Sequence, residues 1–356
     1  MNEIPPLLNA PPRKRTGWVV YGVIVSFFCV LSVLANFALL ALLFGGSHGS
    51  SFDGTHHKGL EEQFVTGDED ATDKIVEMQL TGVIGFDGGD GGTDEGMVGN
   101  LKDQLDQAVK DKHVKAIVLR INSPGGEVVA SDEIYRALAE VRDDTNRVVK
   151  IVSYVETVGA SGAFYAAMGT DYIVANEMSI TASIGVIMET LNFGPYDDTN
   201  SLMHKLGVKS YTFKSGKFKD ILNPTRNPTD DETKLVQNLI MEVYEKFVGI
   251  VADERDLDVD ELKNTIADGR IVSGKQAVAA KLVDEVGYYE DAIAAAKDLA
   301  KIDSAKVVRY ARPFSLRNLL QFLGKSEAPK IQIQFTPASL KLQPGKMYFL
   351  PAYMFQ

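Results

Sequence analysis

The sequence predicts an α/β protein, a largely parallel sheet wrapped by helices, behind a single N-terminal membrane-spanning helix. Three observations predict it. An uncharged apolar run, Trp18 to Phe44, stands near the N-terminus. From Lys74 onward, short apolar runs alternate with stretches of helical spacing. One of those runs, Ala116 to Ile121, is almost wholly apolar, as in a strand of a sheet covered on both faces.

The 356 residues, 45% of them hydrophobic, supply one large core plus appendages. A net charge of −11 and the lack of a large basic cluster argue against nucleic acid as a partner. The single cysteine, Cys29, lies in the apolar run, so disulfides and cysteine-based metal sites within one chain are excluded.

Residues 1–17 read as a cytoplasmic tail, proline-rich and closed by Arg13-Lys14-Arg15. Residues 18–44 read as the anchor. A helix of that length spans about 40 Å, enough to cross a bilayer with tilt. It is too long for the core of a signal peptide and no A-x-A site closes it, and a buried core helix rarely lacks every charge over such a length. Basic residues before it and Glu61, Glu62, Asp68, Glu69, Asp70 and Asp73 after it put the N-terminus in the cytoplasm and everything after residue 45 outside the cytoplasm, with a single pass through the cell membrane. Residues 45–73, rich in Gly, Ser, His and acid, read as a linker. His48, His56 and His57 fall in it without a third ligand at metal-binding spacing.

The folded domain is assigned to 74–301. Strands are expected at Ile75–Ile84, Ala116–Ile121, Val148–Val155, Tyr172–Ala175 and Tyr211–Phe213. Asp87 to Gly92 reads as a flexible loop lacking the Glu spacing of a calcium loop. Helices are expected at Met97–Lys112, with Val98, Leu101, Leu105, Ala108 and Val109 on one side, and at Ser131–Val141 and Ala160–Met168. Asp230–Leu262 gives a long helix and a second, and Gly274–Ala280 and Glu290–Ala300 give two more, Ser273 capping the first.

Thr157 to Gly169 is the stretch the chain is built around, and Gly169 reads as the cap that ends its helix. An apolar strand runs into a small-residue helix, and Ser161 stands at the junction between Ala160 and Gly162. Small neighbours let a substrate backbone approach, and the free amides of the first helical turn suit a developing oxyanion. This resembles a nucleophile elbow, although Gly-Ala-Ser-Gly-Ala departs from G-x-S-x-G at its last position. The plain alternative is a serine N-cap on a tightly packed helix. Asn122-Ser123-Pro124-Gly125-Gly126 follows a buried strand, at the carboxyl edge where open α/β sheets place ligands, and its glycines can present a bare amide as a second oxyanion donor. The chain has neither G-K-[ST] after a glycine loop nor G-x-G-x-x-G, which excludes a P-loop and a dinucleotide fingerprint.

A serine nucleophile needs a base. His113 sits in a charged turn and His204 in a segment of mixed polarity, neither the setting of an oriented imidazole. A buried lysine is the other option. Lys214, Lys217 and Lys219 share one turn, and spacing does not choose among them.

Four motifs stand in the order seen in the signal peptide peptidase A (protease IV) family. They are Ser-Pro-Gly-Gly at 123–126, Ala-Ser-Gly-Ala-Phe-Tyr-Ala-Ala at 160–167, Thr-Ala-Ser-Ile-Gly-Val-Ile at 181–187 and Lys-Ser-Gly-Lys-Phe-Lys-Asp at 214–220. Ala267-Asp268-Gly269-Arg270 and Leu282 to Gly287 match too, and the chain resembles that family from Lys74 to Lys301. The resemblance implies a ClpP/crotonase-like fold and a membrane-anchored serine peptidase with a Ser–Lys dyad. It implies Ser161 as nucleophile, Lys219, last lysine of K-S-G-x-x-K-D, as general base, and Ser183 as the serine that orients the lysine. Gly126 is implied as a backbone oxyanion donor, with the helix-start amide at Gly162 beside it. Signal peptides and other extended apolar peptides are the implied substrates, and no cofactor is expected. The short, single-repeat form implies a homo-oligomeric ring, commonly an octamer, whose sites are completed by neighbours. The rival classes are a non-catalytic membrane scaffold on the same fold and a crotonase-like acyl-CoA enzyme. The chain departs from the family by an apparent insertion at 194–200 and by residues 302–356.

That C-terminal extension alternates apolar and polar residues at Ile331–Phe335. Ser339–Leu342 and Met347–Leu350 flank a turn at 343–346, and the end is aromatic and nearly uncharged. Such a segment should dock on a neighbouring subunit, on the membrane interface, or as a strand beside the substrate groove.

Overall fold

The structure, a computed structural model, describes residues 16–44, 60–86, 96–312 and 347–349. The tail before residue 16, most of the expected linker, the glycine loop 87–92 and the expected strands at 331–335 and 339–342 lie outside the described residues. The chain divides into two compact units, Met1–Lys58 and Gly59–Gln356.

The first unit holds α1, Thr16–Phe44, with no acidic residue in its first turn and no basic residue in its last. Its described side chains, 20–36, are exposed. Among the described residues no helix is long and apolar enough to cross a membrane, whereas the helical backbone of α1 itself continues for 29 residues.

The second unit is built on a nine-stranded sheet. Its central strands are β2 (Lys74–Thr81), β3 (Val114–Ser123), β5 (Lys150–Ala160) and β6 (Tyr172–Ala175), paired in that order and all parallel. Their runs of Val, Ile and Leu are buried because helices cover both faces. On one face lie α2 (Gly96–Lys110), α3 (Val128–Arg142), α4 (Gly162–Ala167) and α6 (Asp230–Arg255). On the other lies α9 (Tyr289–Ala300), which buries Ala292 and Ala296 against Val118, Val152 and Val174. The apolar side expected of α2 is the buried one: Val98, Leu101, Leu105 and Ala108 face the core.

Four differences from the sequence reading have physical causes. First, β5 runs on to Ala160, and α4 is only Gly162–Ala167. The end of β5 finds a partner in β7 (Ile180–Ala182), Val158 to Ala160 pairing with Ile180 to Ala182, and this ladder overrides the helical look of the small residues. Second, no strand forms at Tyr211–Phe213; no partner strand lies beside it and Phe213 is 96% exposed. Third, the sheet reaches past both expected boundaries of the domain. The strand β1 (Glu61–Gly67), from the assigned linker, pairs antiparallel with β10 (Lys306–Ala311), from the C-terminal extension, and β10 pairs parallel with β2. Fourth, Gly169 does not end α4 in a left-handed turn. A Cβ there would lie 2.6 Å from the carbonyl oxygen of Tyr135, so glycine is what lets α3 and the end of α4 meet closely.

Glu77 is a fully buried carboxylate in β2. It accepts from Gln79 at 3.0 Å, from Arg309 Nε at 3.0 Å, and from the Tyr289 hydroxyl. Burial pushes its carboxyl up, but these bonds outweigh that and hold it below the usual range. A depressed carboxyl stabilises the fold above its unfolded pKa and loses that contribution as pH falls. Glu77→Gln should therefore cost about 2 kcal/mol at neutral pH. In urea titrations the gap between variant and wild type should begin to narrow below about pH 4 and close as pH falls through the lowered pKa of the folded state. A gap independent of pH would show that the charge contributes nothing.

Candidate active site

Ser161 joins β5 to α4 in a single residue, with φ 55° and ψ −116°. Its N–H donates to the carbonyl of Ala182 at 2.7 Å, and its carbonyl accepts from Tyr165 N–H at 2.8 Å. Ala182 and Ser183 also have positive φ, 64° and 53°. Three non-glycine residues at positive φ, joined by the Ser161–Ala182 bond and by the chain, mark a strained centre of the kind found at functional sites. Thr181 Oγ1 donates to Gly159 at 2.7 Å and locks the two strands there. The side chain of Ser161 is buried, and its Oγ has no hydrogen-bond partner among the described residues. The serine is thus no N-cap: its hydroxyl is held ready and unspent.

The second wall is Ser123 to Glu127. Ser123 of β3 pairs with Gly159 of β5, which sets this loop beside the serine. Ile84 N–H donates to Gly125 at 2.8 Å, and Glu127 N–H donates to Ile84 at 2.9 Å. A Cβ on Gly126 would lie 2.0 Å from the Ile84 carbonyl oxygen, so only glycine fits. Gly126 and Glu127 form β4, and Tyr348–Phe349 of the C-terminal extension form β11, antiparallel to it. Val128 N–H donates to Met347 at 3.3 Å. Bonded pairs alternate in an antiparallel ladder, so the next bonded pair is Gly126 with Phe349. A peptide carbonyl of the chain's own end therefore meets the candidate oxyanion donor. On its other edge, Tyr348 exchanges two backbone bonds of 3.1 Å with Ile187. The described part of the tail thus lies as a strand between Gly126 and Ile187.

Ser183 is buried, and its hydroxyl donates to Gly269 at 3.1 Å, leaving oxygen lone pairs that can accept from a lysine. Lys219 is not at Ser161 within the chain. It lies exposed in a turn, its N–H on Gly216 at 3.2 Å. Lys214 is paired with Asp220 at 2.6 Å and Lys217 with Asp231. Lys219 is the lysine of the three with no ion pair among the described residues. Its turn is fixed by Arg226, which reaches Asp220 at 2.9 Å and Glu232 at 2.8 Å. The same guanidinium, with the Thr229 amide, pushes the Glu232 carboxyl down to about 2. Neither histidine reaches the serine. His113 is held at a turn by Asp111, and His204 Nδ1 lies 2.8 Å from the Tyr196 carbonyl.

Sequence reasoning missed Ile187 as the second edge for an extended peptide, and missed the Asp220–Arg226–Glu232 clamp. The regular spacing of those three charges around a helix start was the available sign of the clamp; for Ile187 there was none.

A buried serine on a strained strand-to-helix turn, beside a glycine loop and an edge that pairs with an extended backbone, is the arrangement of a serine hydrolase acting on peptides. Peptidase family S49 matches residues 143–303. A protein of Enterococcus faecium provisionally described as a signal peptide peptidase SppA is 34% identical over 308 residues, covering 83% of this chain and 85% of that one. A provisionally described protease of Methanocaldococcus jannaschii is 35% identical over 299 residues, covering 82% and 86%. A ClpP1 mutant from Listeria monocytogenes aligns at TM-score 0.39 and 14% identity, over 61% of this chain and 94% of that one, which adds nothing to the topology above. The chain belongs to the S49 family of signal peptide peptidase A and is a serine peptidase.

If an extended substrate pairs where β11 lies, truncation after Lys330 should raise the rate on a short peptide while the oligomer stays intact. An unchanged rate would mean that the tail does not compete with substrate, and loss of the oligomer would assign it to assembly.

Proposed function

We propose that the chain is a membrane-anchored endopeptidase that hydrolyses extended apolar peptides, signal peptides among them, with a Ser161–Lys219 dyad. One observation carries this reading: the buried, unpartnered Ser161 hydroxyl beside a glycine amide that already holds a peptide carbonyl. Ser161 attacks the scissile carbonyl, and the amides of Gly126 and Gly162 take the oxyanion. Lys219 removes the serine proton and returns it to the leaving amine, and Ser183 orients the lysine. The apolar helix α1 supplies the anchor, N-terminus in the cytoplasm and peptidase unit on the extracytoplasmic side. The ClpP/crotonase relation stays part of this reading.

The lysine comes from a second copy of the chain in a homo-oligomeric ring. Two features support this. Lys219 is exposed, without an ion pair among the described residues, in a turn anchored to the start of α6 at Glu232. The contacts of α6 with the serine-bearing region, Lys246 to Asp132 and Phe247 to Tyr165, are half a helix away. The intervening rise is about 21 Å. The surrounding arm exposes Leu191, Leu206, Val208, Tyr211 and Phe213, an apolar surface suited to a neighbour.

Ser161→Ala and Lys219→Ala should each abolish hydrolysis of an apolar peptide without unfolding the protein. Dissociated and reassembled together in equal amounts, the two variants should regain about a quarter of wild-type activity, since random mixing completes that fraction of shared sites. No regained activity from a mixed ring would place both dyad members in one chain. Full activity of Lys219→Ala would remove that lysine from the mechanism.

A further inference from the structure

The two candidate oxyanion donors sit at the heads of two helices. Gly126 precedes α3, which begins at Val128, and Gly162 opens α4 directly after Ser161. Each helix is a rigid handle on one donor. The spacing of the two amides is therefore set wherever α3 and α4 are fixed to each other.

Besides the Arg142 bond to the Met168 carbonyl at 3.1 Å, two close contacts fix them. At the far end of α4, Gly169 lies against the Tyr135 carbonyl of α3 so closely that a Cβ would sit 2.6 Å from it. Near the heads, the Tyr165 hydroxyl donates to Asp132 at 2.5 Å. Tyr165 stands one helical turn past Ser161, and Asp132 stands in the second turn of α3. The Tyr165 ring has no freedom to aim elsewhere. It is buried, edge-on to Tyr135 at 5.4 Å and to Phe247 at 5.0 Å. Lys246 of α6 donates to the same Asp132 oxygen at 2.6 Å, which holds the carboxylate in place. Burial and that carboxylate push the phenol of Tyr165 well above its ordinary value, so it remains a donor at any working pH.

A buried tyrosine hydroxyl always wants a partner, and an ordinary packing contact would satisfy it. What singles out this bond is its place: it joins the two helices that carry the donors, near the heads that carry them. We propose that Asp132 is a positioning residue of the peptidase, acting through Tyr165 to hold the Gly126 and Gly162 amides at the separation that a tetrahedral oxyanion needs. It touches no substrate.

The inference rests on Ser161 being the nucleophile, which covalent labelling of the wild type decides separately. Tyr165→Phe and Asp132→Ala should each lower kcat about tenfold at nearly constant KM, the loss expected when donors shift by a fraction of an ångström. The double variant should be no worse than either single, because both remove one bond. Asp132→Asn keeps an acceptor for Tyr165 and should recover most of the rate. A peptide aldehyde, which mimics the tetrahedral state, should lose affinity by the same factor as kcat/KM, while a product peptide binds as before. Glu77→Gln, at a distant strand, is the control for lost stability alone and should keep its kcat. The proposal is overturned if Tyr165→Phe turns over within about twofold of wild type. It is equally overturned if aldehyde affinity does not follow kcat/KM, or if Glu77→Gln loses kcat in proportion to its unfolding midpoint.

Discussion

The site depends on β5 passing into α4 within one residue. A chain can make that turn only by putting Ser161 at positive φ, and the fold holds it there with the Ser161 to Ala182 backbone bond and the β5–β7 ladder behind it. Ala182 and Ser183 share the strain. Non-glycine residues held there cost of order 1–3 kcal/mol each, so the neighbourhood stores several kcal/mol that packing elsewhere must offset. The return is a hydroxyl that cannot fold back onto its own helix and stays unpartnered in a buried setting. Relaxing the turn would make Ser161 an ordinary cap and end its usefulness.

From that turn the rest follows by attachment. The parallel sheet sets β3 beside β5, so Gly126 arrives next to the serine. The glycine itself is dictated by the Ile84 carbonyl pressing on its Cα. The loop then offers β4 as one edge and Ile187 as the other, and the chain's own Tyr348–Phe349 fills the gap between them. The gap is thus shaped for an extended backbone, read through main-chain bonds rather than through one charged pocket. Lysine chemistry is kept apart, on an exposed turn braced by Asp220, Arg226 and Glu232 at the head of α6. In the proposed reading, each chain holds the nucleophile and the donors, and the base arrives on assembly.

Much of this was legible in the sequence, for reasons that can be named. The central strands announced themselves as unbroken Val, Ile and Leu runs, and α2 by its 3.6-residue pattern, because burial dictates both. The elbow and the Ser-Pro-Gly-Gly loop were legible because tight turns and close approaches leave few residue choices. The end of β5 was not, since Thr157 to Ala160 looks helical and only β7, more than twenty residues on, makes it a strand. For β1 and β10 the obstacle was similar: Glu61–Gly67 is a mostly exposed edge strand whose partner lies at the opposite end of the domain. Tyr211–Phe213 showed the converse, strand-like residues with nothing to pair with. The Tyr165–Asp132 bond was invisible because it spans 33 positions and leaves no periodic trace.

The central claim is that Ser161 is a poised nucleophile. Treatment of the full-length protein with a fluorophosphonate, followed by peptide mapping in a mass spectrometer, tests it most directly. The account predicts one adduct, on Ser161, absent from Ser161→Ala. A folded, active protein that takes no adduct, or takes it on another serine, would contradict it.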